Sequence, residues 1–191
     1  FLEQDEFSDQ KFESFDARGV SIEGRTFYSC TFVGGLFGEA ILKRCRFSDC
    51  HFVNCDLSNA SVTSSVIRDS RFEDCKLLGL KFSDLEDLMH VSFDKCVLNY
   101  ANFSGTDLRK CAMKDCVAKE TDFSEANLTD ANCQGSDFSG ARFANTNLTK
   151  ADFRKAINYA IRPDNNKIKK AKFSLPEATS LLYGLDIELE D

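Results

Sequence analysis

Large apolar residues recur every five positions along most of the chain. The pattern is cleanest over residues 121–153, where Phe123, Leu128, Cys133, Phe138, Phe143, Leu148 and Phe153 mark the centres of successive fives. Two places before each centre stands a small residue: Thr121, Ala126, Ala131, Ser136, Ala141, Thr146 and Ala151. Asp, Asn or Arg usually fills the gap between them. A period of five matches neither the 3.6 of an α-helix nor the 2.0 of a flat strand. A short fixed period predicts stacked, near-identical units that bury one another. The frame extends back to Phe7 and runs regularly from Phe27 to Phe82. It slips by one residue, resumes at Phe93 and fades at Asn158.

This A(D/N)Lxx pattern, with Phe allowed at the centre, resembles the pentapeptide-repeat family. The resemblance implies an all-β solenoid: a right-handed quadrilateral β-helix with five residues per side and twenty per coil. The centre and the small residue point inward and the other three point out. A coil of twenty predicts columns of residues twenty apart. Phe12, Phe32, Phe52 and Phe72 form one; Phe103, Phe123 and Phe143 another; Leu108, Leu128 and Leu148 a third. If the slip adds one residue to one side, Phe93 joins the Phe72 column. Cys55, Cys75, Cys96 and Cys116 then form an unbroken inward ladder.

The same frame predicts the domain plan. Residues 1–161 form the repeat domain. Its first coil, residues 1–26, is expected to be irregular, because Phe15, Val20 and Arg25 occupy small places; terminal repeats often cap a solenoid. Over residues 83–92 (SDLEDLMHVS), strict register makes Leu88 a centre and turns Glu86 inward. Burying an unpaired carboxylate is costly, so this segment is expected to stand out as a loop. Apolar residues exposed on a loop mark a contact site. The candidate partner-binding residues are therefore Ser83, Asp84, Leu85, Glu86, Asp87, Leu88, Met89 and His90. Residues 162–191 are read as a basic connection with a solvated lysine rim, then a short helix and a strand. Ser174 and Glu177 have capping-box spacing. Leu181, Leu182, Leu185, Ile187 and Leu189 supply an apolar face suited to a symmetric partner.

Composition narrows the function. Nine cysteines invite a disulfide or zinc reading, but eight sit in the small inward place and Cys133 at a centre. They read as buried thiols, which suit a reducing cytoplasm. No C-x-x-C pair is present and His51 and His90 are the only histidines, so no metal or cofactor site is expected. No apolar run is long enough to span a membrane. The chain begins at Phe1 rather than Met, which leaves a preceding targeting segment open. No nucleophile–base pair or phosphate-cradling Gly loop is found, so catalysis is disfavoured and no catalytic residue is assigned. The periodic Asp and Asn residues read as turn supports. A net charge of −7 argues against direct nucleic-acid binding.

The frame break near the middle, NYAI at the end of the repeat and the tail KFSLPEATSLLYGLDIE resemble the quinolone-resistance branch of the family. The tail is most similar to that of its albicidin-resistance members. That resemblance implies a homodimer joined at the C-termini that binds DNA gyrase, with topoisomerase IV as a second target. It implies protection of the enzyme from quinolone- or albicidin-type poisons by imitation of duplex DNA. A structural or adaptor β-helix with an unrelated protein partner is the alternative. About eight coils at about 4.8 Å give a dimer roughly 77 Å long. Duplex DNA of that length carries on the order of 45 phosphate charges. The dimer carries −14, twice the chain's −7. The imitation is therefore one of shape more than of charge.

Overall fold

The computed structural model describes residues 4–185 and 187. Within them the chain winds as a parallel β-solenoid with four walls. On the second wall, three-residue strands at Lys11–Glu13, Thr31–Val33, His51–Val53, Arg71–Glu73, Ser92–Asp94 and Ala112–Lys114 pair in register. Phe12 lies against Phe32, Phe32 against Phe52, and Phe52 against Phe72. Phe72 then pairs with Phe93, a step of 21, and Phe93 with Met113. Isolated bridges continue the column through Asn132, Asp152 and Lys172. The one-residue insertion is thus absorbed within a continuous solenoid.

Each five-residue side closes in one of two ways, and the residue before the centre influences which. Where it is Asp or Asn, the side chain usually folds onto the backbone two residues on. Asn102 Oδ1 accepts from the Ser104 N–H at 2.8 Å, Asp122 from Ser124 at 2.8 Å and Asp152 from Arg154 at 3.1 Å. Without such an Asx bond many sides run as a short strand, as at Thr26–Tyr28 and Arg46–Ser48. Most corners place the residue two after the centre in the left-handed region, at φ 52° for Asn54 and 57° for Asp130. Asn, Asp and Gly suit that conformation.

The interior is filled by rings and thiols. Along the second wall the Phe12–Phe32–Phe52–Phe72–Phe93 rings lie nearly parallel, with centroids 5.1, 4.7, 4.7 and 5.3 Å apart. A second stack runs Phe82–Phe103–Phe123–Phe143 at 4.3, 5.4 and 5.2 Å. Offset stacks at this spacing are attractive beyond the area they bury. All nine cysteines are free and buried. The small inward residue does more than save space. Ser65 donates to the Leu42 carbonyl at 2.6 Å and accepts the Cys45 N–H at 2.8 Å, joining adjacent coils. Cys55 and Cys75 direct their thiols to the Phe32 and Phe52 carbonyls in the same way, at 3.4 Å each. Burial pushes the Cys50 and Cys111 thiols up to about 12.

Three expectations are corrected by the coil geometry. The first coil is regular in backbone: Glu6–Ser8, Lys11–Glu13 and Ser21–Glu23 all pair with the next coil. Its bulky Phe15 packs edge-on against Phe12, Phe32 and Phe37. Gly35, one coil below, makes room: a Cβ there would lie 2.4 Å from Phe15 Cζ. The solenoid also outlasts residue 161. Ile157, Lys167 and Lys172 bridge to Asp137, Asn147 and Asp152, so the basic stretch is a coil rather than a connection. Its signal is disguised because Asn166 takes the small inward place and Tyr159 fills the core beside Phe153 and Phe173. Asn166 copies the serine bond, accepting the Thr146 N–H and donating to the Phe143 carbonyl. The third correction, over residues 83–92, concerns the candidate site.

Candidate partner-binding surface

Residues 83–92 do not loop away from the rod. A 3₁₀ turn at Phe82–Asp84 takes up the extra residue. Asp87–Met89 then forms a strand of the first wall, with Leu88 paired to Ile67 and buried as a centre. The feared inward Glu86 does not arise. In the lengthened side Leu85 packs against the core and Glu86 faces out, its N–H held by the Ser65 carbonyl at 2.9 Å.

The eight predicted residues therefore divide. Leu88 is core, and Leu85, Ser83 and Asp87 are half-buried. Asp87 is also tied to the Arg68 guanidinium. Asp84, Glu86, Met89 and His90 are exposed. His90 Nδ1 lies 3.0 Å from Asp69 Oδ1. The insertion leaves a mark on the wall below. Among the described residues no backbone hydrogen bond crosses from 87–90 to 106–110. A cleft of ≈ 190 Å³ lies there, lined by Met89, His90, Asp107, Arg109 and Lys110.

The predicted dimerisation residues lie at the far end. Glu177–Leu185 forms a 3₁₀ helix over the last coil. Ser174 and Glu177 do not form a capping box with each other. They cap the solenoid instead: Ser174 Oγ accepts the Lys155 N–H at 3.3 Å and Glu177 Oε1 the Asn158 N–H at 2.6 Å. Leu181 packs on the core and Leu182 is half-buried, while Leu185 and Ile187 are half exposed at 50% and 52%. Leu189 lies outside the described residues. A cleft of ≈ 750 Å³ opens between this helix and the last coil, lined by Asn158, Arg162, Glu177, Ser180 and Tyr183 among others.

Carboxylates line the walls, and several are held firmly ionised. The Arg154 guanidinium lowers Asp152 to about 2, with Gln134 assisting against the effect of burial. For Asp137, burial raises the pKa but bonds from Ser139 and Asn158 outweigh it, and the value again falls to about 2. Among the described residues no three His, Cys, Asp or Glu side chains gather as a metal site. No helix there is long and apolar enough to cross a membrane. Sequence reasoning missed Tyr100. It stands 65% exposed on the third wall with φ 60°, a conformation that disfavours a bulky side chain.

A profile of the pentapeptide repeat region matches residues 25–86 and 86–173. The chain belongs to the pentapeptide-repeat family. Among solved structures of pentapeptide-repeat proteins, it is similar to HetL from the cyanobacterium Nostoc sp. Strain PCC 7120, which is involved in heterocyst differentiation regulation. That match has a TM-score of 0.71 at 16% identity, over 87% of this chain and 84% of HetL. A trypsin-treated form of QnrB1, a plasmid-mediated fluoroquinolone resistance protein, gives 0.58 at 23%, over 97% of both chains. Full-length QnrB1 gives 0.52 at 21%, over 95% of this chain and all of the other. Likeness at these identities establishes the shared solenoid. No curated protein sequence matches significantly.

Proposed function

We propose that this pentapeptide-repeat protein binds bacterial DNA gyrase, with topoisomerase IV as a second target, and shields it from quinolone- or albicidin-type poisons. The observation that carries the reading is an unbranched rod whose first 141 residues hold 24 Asp and Glu against 15 Lys and Arg, net −9. Asp137 is held in charged form on its walls. An acidic rod suits a groove built for duplex DNA, and its field steers encounter. The likeness to QnrB1 supports the choice of target, and the tail supports albicidin as one of the poisons. The working form is a cytoplasmic homodimer joined through its C-termini. Contact selectivity falls to Asp84, Glu86, Met89 and His90, the exposed members of the 83–90 group.

Supercoiling by purified gyrase, poisoned with a quinolone or albicidin, provides the test. Added protein at tenfold excess restores supercoiled product. Met89→Ala with His90→Ala lowers that rescue at least tenfold while thermal unfolding is unchanged. Absence of rescue with a working positive control overturns the reading. An adaptor with an unrelated partner would leave poisoned gyrase unaffected.

A further inference from the structure

We propose that the lysine-lined C-terminal coils bind the phosphate backbone of duplex DNA. The net charge of −7 conceals a sharp segregation. Residues 142–172 contain nine Lys and Arg against two Asp, net +7, whereas residues 1–141 are net −9. Coil geometry gathers that excess. Leu148 bonds through its N–H to the Lys167 carbonyl, Lys150 to Lys169, and Phe153 to Lys172, so the two coils are adjacent rungs. Lys150, Lys155, Lys167, Lys169, Lys170 and Lys172 all stand exposed on two adjoining walls of these rungs. None of the six has an ion pair among the described residues. Rungs about 4.8 Å apart bring like charges close without a counter-ion.

Two further observations point to phosphate. Arg154 and Arg162 fork onto Asp152 and Asp164 of their own sides, at 2.6 and 2.7 Å. With those two guanidinium forks occupied, the exposed charge on these two walls is ammonium, a point charge that can meet any phosphate oxygen. Lys150, Lys155 and Lys170 also occupy left-handed corners, at φ 60°, 62° and 60°. Elsewhere that corner commonly holds Asn, Asp or Gly, which the backbone favours. Of the five lysines at such corners, three fall in these two coils. A Debye length of about 8–10 Å lets this patch act apart from the acidic coils. The contact requires only protein and DNA, so it stands independently of the topoisomerase reading.

Anisotropy of a fluorescent duplex titrated with the full chain tests this. Six phosphate contacts give a slope of log K against log salt of about −5, and about a thousandfold loss between about 50 and 200 mM salt. Replacing Lys150, Lys155 and Lys170 together by Asn keeps the corners in a residue they favour. It lowers low-salt affinity at least tenfold and reduces the slope to about −3. Lys95→Asn with Lys110→Asn, at left-handed corners outside the patch, leaves binding unchanged. No binding at low salt overturns the proposal, as does equal loss in the control. Binding only after removal of residues 186–191 also overturns it, because the lysines then hold the chain's own acidic end.

Discussion

At the scale of single residues, this protein reuses a few side-chain bonds. The inward Ser, Thr or Cys ties one coil to the next, and the Asx residue closes its own side. Asp152 combines the second role with an ion pair to Arg154, which holds its carboxyl near 2. A folded-state value below the ordinary 3.8 contributes stability above about pH 4 and loses it as pH falls toward 2. The urea midpoint is therefore expected to hold down to about pH 4 and then to decline. Asp152→Asn keeps the turn acceptor, as Asn127, Asn132 and Asn147 do in their own sides. That variant should lose less stability between pH 4 and pH 2.5 than the parent chain. An identical decline in both would show that Asp152 carries no part of the acid sensitivity.

At the scale of an element, the decisive features are those that let a coil depart from five residues. Sequence periodicity located the inserted residue correctly, and the 21-residue step from Phe72 to Phe93 follows from it. Periodicity alone could not say how the surplus is spent, and the cost of burying Glu86 pointed toward a loop. The structure keeps the wall: the chain turns through 3₁₀ geometry, moves Leu85 inward and returns Leu88 to register. Removing Leu85–His90 would thus delete a wall strand, so point substitutions at Met89 and His90 are the usable probes. The first coil shows a second departure. Phe15 fits at an inward place only because Gly35 in the next coil has no side chain. Gly35→Ala is expected to destabilise the protein by about 1–3 kcal/mol, as overpacking does. Combining it with Phe15→Ala should cost less than the sum of the two single changes, measured as a double-mutant cycle by chemical denaturation. Strict additivity would refute the coupling.

At the scale of the whole molecule, the walls form a one-dimensional stack whose two ends are finished differently. At one end Phe15 packs into the space above Gly35, and at the other the Glu177–Leu185 helix lies on the last coil. Leu185 and Ile187 stay half exposed beside Tyr183, which is 76% exposed. Apolar surface left at a solenoid end favours self-association. Light scattering is expected to give twice the 21.4 kDa chain mass, and Leu185→Glu with Ile187→Glu to give the monomer at micromolar protein. A monomeric parent chain would remove the C-terminal dimer from the proposed function. The charge map also belongs to this scale. One acidic arm ending in a basic pair of coils is a different object from a uniform DNA imitation, and total charge could not distinguish them.

The amino-acid sequence by itself determined the period and the position of the inserted residue, and the family resemblance it carries implied the four-walled solenoid with its inward thiol ladder. The period follows from a local rule: each five carries one large apolar residue, and Phe and Leu leave little choice about burying it. Tertiary structure alone decided the path of residues 83–92, the extension through Phe173 and the gathering of six lysines on adjoining walls. Each depends on what lies one coil away. A residue about twenty positions distant supplies the partner carbonyl, the space above a glycine or the like charge on the next rung, and a frame read along the chain does not weigh those against one another.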